Sequence, residues 1–368
     1  MAGVGVRLSW SGCDARTGQV LVELPDLQCS RVSSLIAATT TTQASLPVWD
    51  QTPPGWVAAT KPWASVLVLS ATDDDATVPL WAGMVTRRRR GLGSAVELSL
   101  SSAEAHLDRV YVPDLDLADQ PQTTIAARLG QVMVRPGSPW QVDAGTSAVR
   151  RDRHYRDASD ATVGDRLGEL SSVQGGPEWV VTWRRTTDPV RYVPVLVVRD
   201  RVGASRLAGL RPATVFEAPG PVVAADLVED YGQGYGATTC TAVSTGVDEE
   251  DRPQASRSVA VTDRLPAEYR WCPSTSITSV ATLAQHASRA LQSVAEGTVS
   301  LTMTANLDAA PRLGVDWSLG DEVGYVVQPG VFPAFPDGLS GVSRAVGWEV
   351  DLTGARTITP VLAGGDLS

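Results

Sequence analysis

The apolar segments of the chain are all short, and this limits the folds that the chain can adopt. The longest candidates, WASVLVLSA at 63–71 and PVLVV at 194–198, have the length of a β-strand. No apolar run reaches the 18 residues that a membrane-spanning helix requires, so no membrane span is expected. Turn-forming Gly, Pro and Asp residues separate the apolar runs. The sequence therefore predicts a protein built mostly from antiparallel β-strands.

Helical periodicity interrupts these strands at four places. In the first, Ser101 or Ser102 is expected to cap a helix, with Glu104 near its third position. In the last, Gly297 is expected to stop the longest helix. The four helical segments are predicted within 101–112, 122–134, 160–173 and 276–297.

The length of 368 residues is too great for one compact core and indicates several domains. We expect a first β-rich domain that ends in a hairpin and a short helix, and then a mixed α/β domain. A segment with the long helix and a closing β-barrel element follow. The expected boundaries are 1–112, 113–230, 231–310 and 311–368.

Four consecutive arginines, Arg87–Arg90, lie in the predicted hairpin WAGMVTRRRRGLGSAVELSLSS. Neighbouring residues of a strand face opposite sides, so these arginines do not form a patch on one face. Three interpretations remain open: a solvated hairpin end, a contact between subunits, and a nucleic-acid contact. The net charge of −10 and the lack of interleaved aromatic residues argue against specific nucleic-acid binding.

Residues that could support catalysis, a metal or a cofactor are scattered along the sequence. The four cysteines and three histidines form no cluster with metal-ligand spacing. Carboxylates concentrate in three segments that are predicted to be loops, and one of them, DLDLAD at 114–119, only partly matches a calcium loop. The glycines of YGQGYGA at 231–237 do not have the spacing of a phosphate loop. We therefore expect no metal, no cofactor and no enzymatic activity.

Tryptophan is abundant, with eleven residues beside only three phenylalanines. Trp179 and Trp183 are four residues apart on a predicted strand, so they should face the same side. Burial in the core and at interfaces is the simpler explanation for the tryptophans, and a sugar-binding platform is the alternative.

Three segments together resemble the tail-hub proteins of tailed bacteriophages. The first carries the resemblance in a Trp-x-Gly pair, a strand and a short helix. The second is a helix followed by a strand, and the third is a Gly-Asp turn before the closing hairpin. The matching residues are Trp81, Gly83, Leu98, Leu100, Glu104, Leu107 and Arg109, then Gly176, Trp179 and Trp183, and finally Gly320 and Asp321.

This resemblance implies an α+β fold, mostly antiparallel β, in which tail-tube-like barrels or sandwiches carry inserted mixed α/β domains. It also implies a homotrimeric ring at the tail tip of a virion, made in the host cytoplasm, that surrounds the DNA channel. The implied partners are a distal tail or tail tube protein, the tape-measure protein, and a fibre or spike protein. Arg87–Arg90 would then contact acidic loops of a neighbouring ring.

Three other functions stay open at this point. Two are structural: a distal tail protein, and the hub of a phage-derived injection device. The third is a carbohydrate-binding or glycoside-cleaving protein, which would require a cleft with two carboxylates flanked by tryptophan. Some hub relatives carry a hydrolase extension, but none is expected beyond Ser368, so no enzymatic role is implied.

Overall fold

A computed structural model describes residues 6–73, 76–93, 95–173, 175–204, 214–232, 234–244, 252–262, 264–273, 277, 279–295 and 298–363. The chain divides into two compact units, of which the first comprises Met1–Ala225 with Met303–Ser368 and the second comprises Asp226–Thr302. The expected segment 231–310 overlaps the second unit, the expected domains 1–112 and 311–368 lie in the first, and the expected domain 113–230 lies in the first as far as Ala225. The expected four-way division stays a prediction.

The first region of the chain forms an antiparallel sheet of seven strands. Its strand order is β2-β1-β6-β7-β8-β5-β3. The three consecutive strands expected between 64 and 102 are confirmed as β6, β7 and β8. The elements of this region are β1 (Arg7–Asp14), β2 (Val20–Glu23), β3 (Gln28–Cys29), β4 (Arg31–Leu35), β5 (Thr41–Pro47), α1 (Trp56–Ala59), β6 (Ser65–Asp73), β7 (Ala76–Arg90) and β8 (Ala95–Ser102).

The middle region combines helices with two small sheets. A three-stranded sheet has the order β10-β13-β12, and β9 pairs with β11. The elements are a 3-10 helix (Ala103–Arg109), β9 (Leu115–Pro121), α2 (Gln122–Gln131), β10 (Gln141–Ala144), β11 (Arg150–Tyr155), a 3-10 turn (Asp157–Ser159), α3 (Val163–Ser171), β12 (Glu178–Thr187) and β13 (Val190–Arg199). One apolar core unites them, with Leu107, Leu129 and Leu167 fully buried.

The closing region contains a second sheet of seven strands and a separate small layer. The sheet has the order β14-β20-β21-β22-β19-β15, and β4 also pairs with β21. In the second unit, β17-β16-β18 pack with α4 around the buried Leu283 and Ala287. The elements are β14 (Val215–Ala218), β15 (Val222–Asp230), β16 (Thr239–Val243), β17 (Gln254–Ser258), β18 (Glu268–Trp271), α4 (Val280–Val294), β19 (Thr298–Asn306), β20 (Glu322–Val327), β21 (Leu339–Asp351) and β22 (Thr357–Leu362).

Strand β4 connects the beginning of the chain to its end. It runs antiparallel to β21, with Val32 opposite Val350 and Arg31 opposite Asp351. Both valines are buried. Residues that are more than 300 positions apart therefore share one sheet, and this pairing has no local signal in the sequence.

Three elements differ from the sequence-based expectation. The segment around DLDLAD was expected to be a loop, but it forms β9, because its alternating leucines face the core while the aspartates face solvent. The helix expected at 101–112 is a short 3-10 helix, which ends at Arg109. Gly297, the expected stop of α4, lies outside the described residues. The α+β class with mostly antiparallel strands is confirmed.

Within the described part of the chain, no helix has both the length and the apolar character needed to span a membrane.

Candidate functional site

The arginine hairpin consists of the ends of β7 and β8 and the turn between them. Beyond Val85, β7 pairs only with β8, after a bulge that shifts the register between Val85 and Arg87. Thr86 stabilises the bulge through a hydrogen bond from Oγ1 to the carbonyl of Ser99, at 3.0 Å. The hairpin ends in Leu92, whose side chain is fully exposed.

The four arginines have different environments. Arg88 is half-buried and donates from Nη1 to the carbonyl of Val57 at 2.6 Å and to Oγ1 of Thr60 at 3.0 Å. Burial, and then the charge of Arg90, lower the pKa of Arg88. Arg89 forms an exposed ion pair with Glu97 at 3.2 Å.

The remaining two arginines are available to a partner. Arg87 and Arg90 are exposed, and neither forms an ion pair or a side-chain hydrogen bond with any residue that the structure describes. Neighbouring residues on a strand alternate in direction, so Arg88 points toward α1 while Arg87 points away. Within the described chain, one arginine of the run is therefore held by hydrogen bonds, one forms a surface ion pair, and two, Arg87 and Arg90, are free cations.

The Trp-x-Gly pair lies at the base of the hairpin. Trp81 is buried and contacts Trp10 in an edge-to-face arrangement, with ring centroids 6.2 Å apart. Trp81 and Gly83 face the same side of β7, and a β-carbon at position 83 would lie 2.2 Å from the indole of Trp81. Glycine at position 83 is therefore required by the packing of the indole.

Glu104 does not take part in the capping box that its position suggested. The hydroxyl of Ser102 accepts a hydrogen bond from the backbone N–H of Thr40 at 2.9 Å and caps no helix. The Glu104 carboxyl is buried and accepts a hydrogen bond from the backbone N–H of Val181 at 3.3 Å. Burial raises the pKa of Glu104 more than its hydrogen bonds lower it. Glu104 thus connects the 3-10 helix to β12.

Trp179 and Trp183 both contact the middle core, with Trp179 buried and Trp183 half-buried. This arrangement places them on one side of β12, as their spacing predicted. Trp183 also contacts a second cluster around Met84 and Tyr192. The strand therefore connects the core of the middle region to the first sheet.

Gly320 and Asp321 form a tight turn before β20. The φ of Gly320 is +93°, and a β-carbon there would lie 2.3 Å from the carbonyl oxygen of Val202. Asp321 accepts hydrogen bonds from the backbone N–H groups of Ala204, at 2.6 Å, and Ser318, at 2.8 Å. The turn therefore joins the segment after β13 to the closing sheet.

An ion pair beside this turn was not predicted from the sequence. Arg344 on β21 donates to both carboxylate oxygens of Glu178, with Nη1 to Oε1 at 2.7 Å, and to the carbonyls of Val202 and Gly320. Burial acts to raise the pKa of Glu178, but the hydrogen bonds from Arg344 and Val202 outweigh it and leave the pKa below its ordinary value. We call Glu178, Val202, Gly320, Asp321 and Arg344 the junction.

One signal in the sequence could have indicated the junction. Glu178 and Arg344 are charged residues inside otherwise apolar strand segments, PEWVV and VSRAVGW. A charged residue that is buried in a strand requires a partner of opposite charge. The sequence does not show which residue supplies that partner, because the two positions are 166 residues apart.

The acidic segments form no metal site in the described residues, where no group of three His, Cys, Asp or Glu could hold a metal ion. In β9, Asp116 contacts Arg156 at 2.7 Å and His154 at 2.8 Å, and Asp119 contacts Arg150 at 2.7 Å. These arginine and histidine contacts occupy the carboxylates that a calcium loop would use. Asp74 and Asp75 of TDDDATV, and residues 245–251, lie outside the described residues.

Most of the tryptophans are buried, and so are two of the four cysteines, Cys13 and Cys240. Six of the eleven tryptophans are buried, namely Trp10, Trp81, Trp140, Trp179, Trp317 and Trp348. The four cysteines are free thiols, and burial raises the pKa of Cys13 to about 12. A groove of about 900 Å³ between β1, β3 and β5 is lined by one tryptophan, Trp10, and one carboxylate, Glu97. It lacks the two carboxylates that glycoside cleavage requires.

Comparison with known proteins identifies a fold class. No protein-family profile matches the sequence, and no curated protein matches it. The structure is similar to the tail protein from Neisseria meningitidis MC58, with a TM-score of 0.53, 14% identity, and coverage of 98% of this chain and 97% of that chain. It is also similar to the 43 kDa tail protein of prophage MuSo2 from Shewanella oneidensis, with a TM-score of 0.52, 12% identity, and coverage of 97% and 98%.

A third similarity is to a chain of the half-lidded Francisella PdpA–VgrG complex, with a TM-score of 0.54 and 8% identity. The match covers 97% of this chain and 57% of that one. The chain therefore has the fold of phage tail proteins. The resemblance drawn from the sequence is confirmed at the level of the fold.

Proposed function

We propose that this chain is a structural protein of a phage tail, a trimeric hub at the tail tip. It would join the tail tube or distal tail ring to fibres or a spike and surround the DNA channel. The observation that carries this proposal is the similarity to two phage tail proteins over nearly the whole of both chains. Such a similarity is expected when the whole chain, rather than one module, performs the shared role.

The proposed partners follow from that position. They are two further copies of this chain, a distal tail or tail tube protein, the tape-measure protein, and a fibre or spike protein. Charged groups without internal partners are suited to such contacts, because they can form ion pairs with a partner without breaking ion pairs of their own. Arg87 and Arg90 are groups of this kind, and we propose that they contact acidic loops of a neighbouring ring.

The arginine contact is tested with a double charge reversal, Arg87→Glu with Arg90→Glu, and a count of assembled tails. We expect fewer tails, because reversed charges repel an acidic partner. Arg128→Glu with Arg191→Glu is the matched control, since both arginines are exposed and form no ion pair in the described chain. Equal numbers of tails from both variants would contradict the proposed contact.

The proposed role is structural and not enzymatic. The hypothesis of a carbohydrate-binding or glycoside-cleaving protein is weakened by the burial of most tryptophans and by the single carboxylate of the groove. A zymogram on cell-wall material and a glycan array test it. Cleavage or specific glycan binding would replace the structural role with this alternative.

A second candidate function is the hub of a phage-derived injection device. The similarity to a chain of the PdpA–VgrG complex favours it. A distal tail protein is a further structural alternative. The number of copies in the particle distinguishes the two, because six copies would indicate the distal ring and three copies would indicate the hub. Antibody labelling of assembled particles tests the position, and label away from the tail tip would contradict the hub.

A further inference from the structure

His106 lies close to two tryptophans, Trp63 and Trp140, and Trp63 donates its backbone N–H to the carbonyl of Val85 at the base of the arginine hairpin. The indole Nε1–H of Trp140 donates a hydrogen bond to Nδ1 of His106 at 3.1 Å. The ring of Trp63 is also close, with its centroid 6.5 Å from that of His106. His106 belongs to the 3-10 helix, Trp63 precedes β6, and Trp140 precedes β10, so three segments meet at one imidazole.

The direction of this hydrogen bond fixes the protonation state of His106. Nδ1 can accept a hydrogen only when it carries none, and both ring nitrogens carry a hydrogen in the imidazolium. Trp140 is buried. Protonation of His106 would therefore leave the buried indole N–H of Trp140 without its acceptor, which is costly.

The surrounding charges act in the same direction. The charged groups that face His106 are Arg109, on its own helix, and Arg135, on the segment after α2, while the segment before β6 presents the neutral Trp63. The guanidinium of Arg109 lies 4.1 Å from the ring centroid of Trp63, so it is held near the cluster. Burial, and then these two arginines, keep the pKa of His106 below its ordinary value.

We propose that the Trp140–His106 hydrogen bond is an acid-sensitive contact that holds residues 132–140 against the base of the arginine hairpin at neutral pH and releases them when His106 is protonated. The contact is made within one chain, so the proposal is independent of the ring. His154 and His286 are the natural controls, because His154 pairs with Asp116 on the surface and neither contacts Trp140.

The sign of the effect follows from the lowered pKa. The native state binds fewer protons than the unfolded state once the pH falls below about 6.5, the ordinary pKa of histidine. The equilibrium constant for closing the contact should then fall by up to about tenfold per pH unit, until the pH passes the pKa of His106 in the native state.

The experiment follows the indole N–H resonance of Trp140, assigned with Trp140→Phe, from pH 7.5 to pH 5. Hydrogen exchange of residues 132–140 is measured over the same range and corrected for intrinsic rates. We expect the resonance to shift, with a midpoint below 6.5, and exchange to accelerate together with it. In His106→Gln, whose side-chain carbonyl can accept the same hydrogen bond without titrating, both changes should disappear.

His154→Gln and His286→Gln should leave both changes intact. A Trp140 resonance that does not move in the wild type would overturn the proposal. A resonance that moves without faster exchange would also overturn it, because His106 would then titrate without releasing the segment. Persistence of both changes in His106→Gln would assign them to another group.

Discussion

The junction and the arginine hairpin use charge in opposite ways. In the junction, Arg344 and Glu178 are mostly buried, with side chains 16% and 27% exposed, and they bond to each other and to backbone groups. In the hairpin, Arg87 and Arg90 are exposed and have no such partner in the described chain. Buried paired charges fix the positions of distant segments, whereas exposed unpaired charges remain available to another molecule.

The largest effect on stability is expected from breaking the junction pair. Arg344→Met removes the hydrogen-bonded partner of the partly buried Glu178 carboxylate and leaves it only the charge of Arg201, which should lower the free energy of unfolding by about 3 kcal/mol. The matched control is Arg31→Met, which breaks the exposed pair between Arg31 and Glu349 and should cost less than about 1 kcal/mol. Urea unfolding followed by circular dichroism measures the stability of both variants. Equal losses of stability would contradict the distinction between the buried and the exposed ion pair.

The next largest effect is expected at Gly203, which packs against Gly320 and Asp321 of the junction. Gly203 has a φ of +86°, and its β-carbon would lie 2.0 Å from the carbonyl carbon of Gly320. Gly203→Ala should therefore cost about 2 to 3 kcal/mol, from backbone strain together with the collision. Gly354 has a φ of +52° with open space around it, so Gly354→Ala should cost only about 1 kcal/mol. Thermal unfolding of both variants distinguishes the cost of backbone strain from the cost of the steric collision.

The buried Glu104 and the partly buried Glu178 should respond to pH with opposite signs. The pKa of Glu178 is lowered, so its contribution is present above the ordinary glutamate pKa of about 4.3 and is lost as the pH falls through its pKa in the folded protein. The pKa of Glu104 is raised, so stability is lost as the pH rises from about 4.3 through that raised value.

Glutamine variants test these signs. Glu104→Gln keeps an acceptor for the N–H of Val181 and should become increasingly more stable than the wild type as the pH rises above about 4.3. Glu178→Gln should show the reverse. It should be less stable than the wild type at neutral pH, and this difference in stability should shrink as the pH falls. Urea midpoints between pH 3.5 and 7.5 are the measurement, and parallel curves for the two variants would refute the assignment.

The smallest effects are expected within the arginine run. Arg88→Met removes hydrogen bonds to Val57 and Thr60 and should cost about 1 kcal/mol. Arg87→Met removes no internal contact and should change the stability by less than about 0.5 kcal/mol. Chemical unfolding of the two single variants is the measurement. A larger loss of stability in Arg87→Met than in Arg88→Met would show that Arg87, and not Arg88, makes the stabilising internal contacts.

Local patterns in the sequence predicted much of the fold. The three strands β6 to β8, the helices α2, α3 and α4, and the shared face of Trp179 and Trp183 all follow from periodicity and turn residues. The pairing of β4 with β21 and the pair between Glu178 and Arg344 do not, because they join positions far apart in sequence. Glu104 was recognised as important, but its partner, the N–H of Val181, depends on the tertiary fold.

The arginine run shows the same limit within one site. Alternation along the strand predicted that the four arginines face two sides. It could not predict that α1 would lie beside Arg88, or that Glu97 would pair with Arg89, since both depend on how the sheet closes around the hairpin. These contacts are needed to distinguish the free cations, Arg87 and Arg90, from Arg88, which is held by hydrogen bonds.

The measurement that tests the central claim most directly is the mass and symmetry of the purified chain, by native mass measurement and negative-stain imaging. The account predicts a closed ring of three copies with a central hole. A ring of six would contradict the hub and favour a distal tail protein. A chain that remains a monomer at every concentration, and that also binds glycans, would contradict the structural account itself.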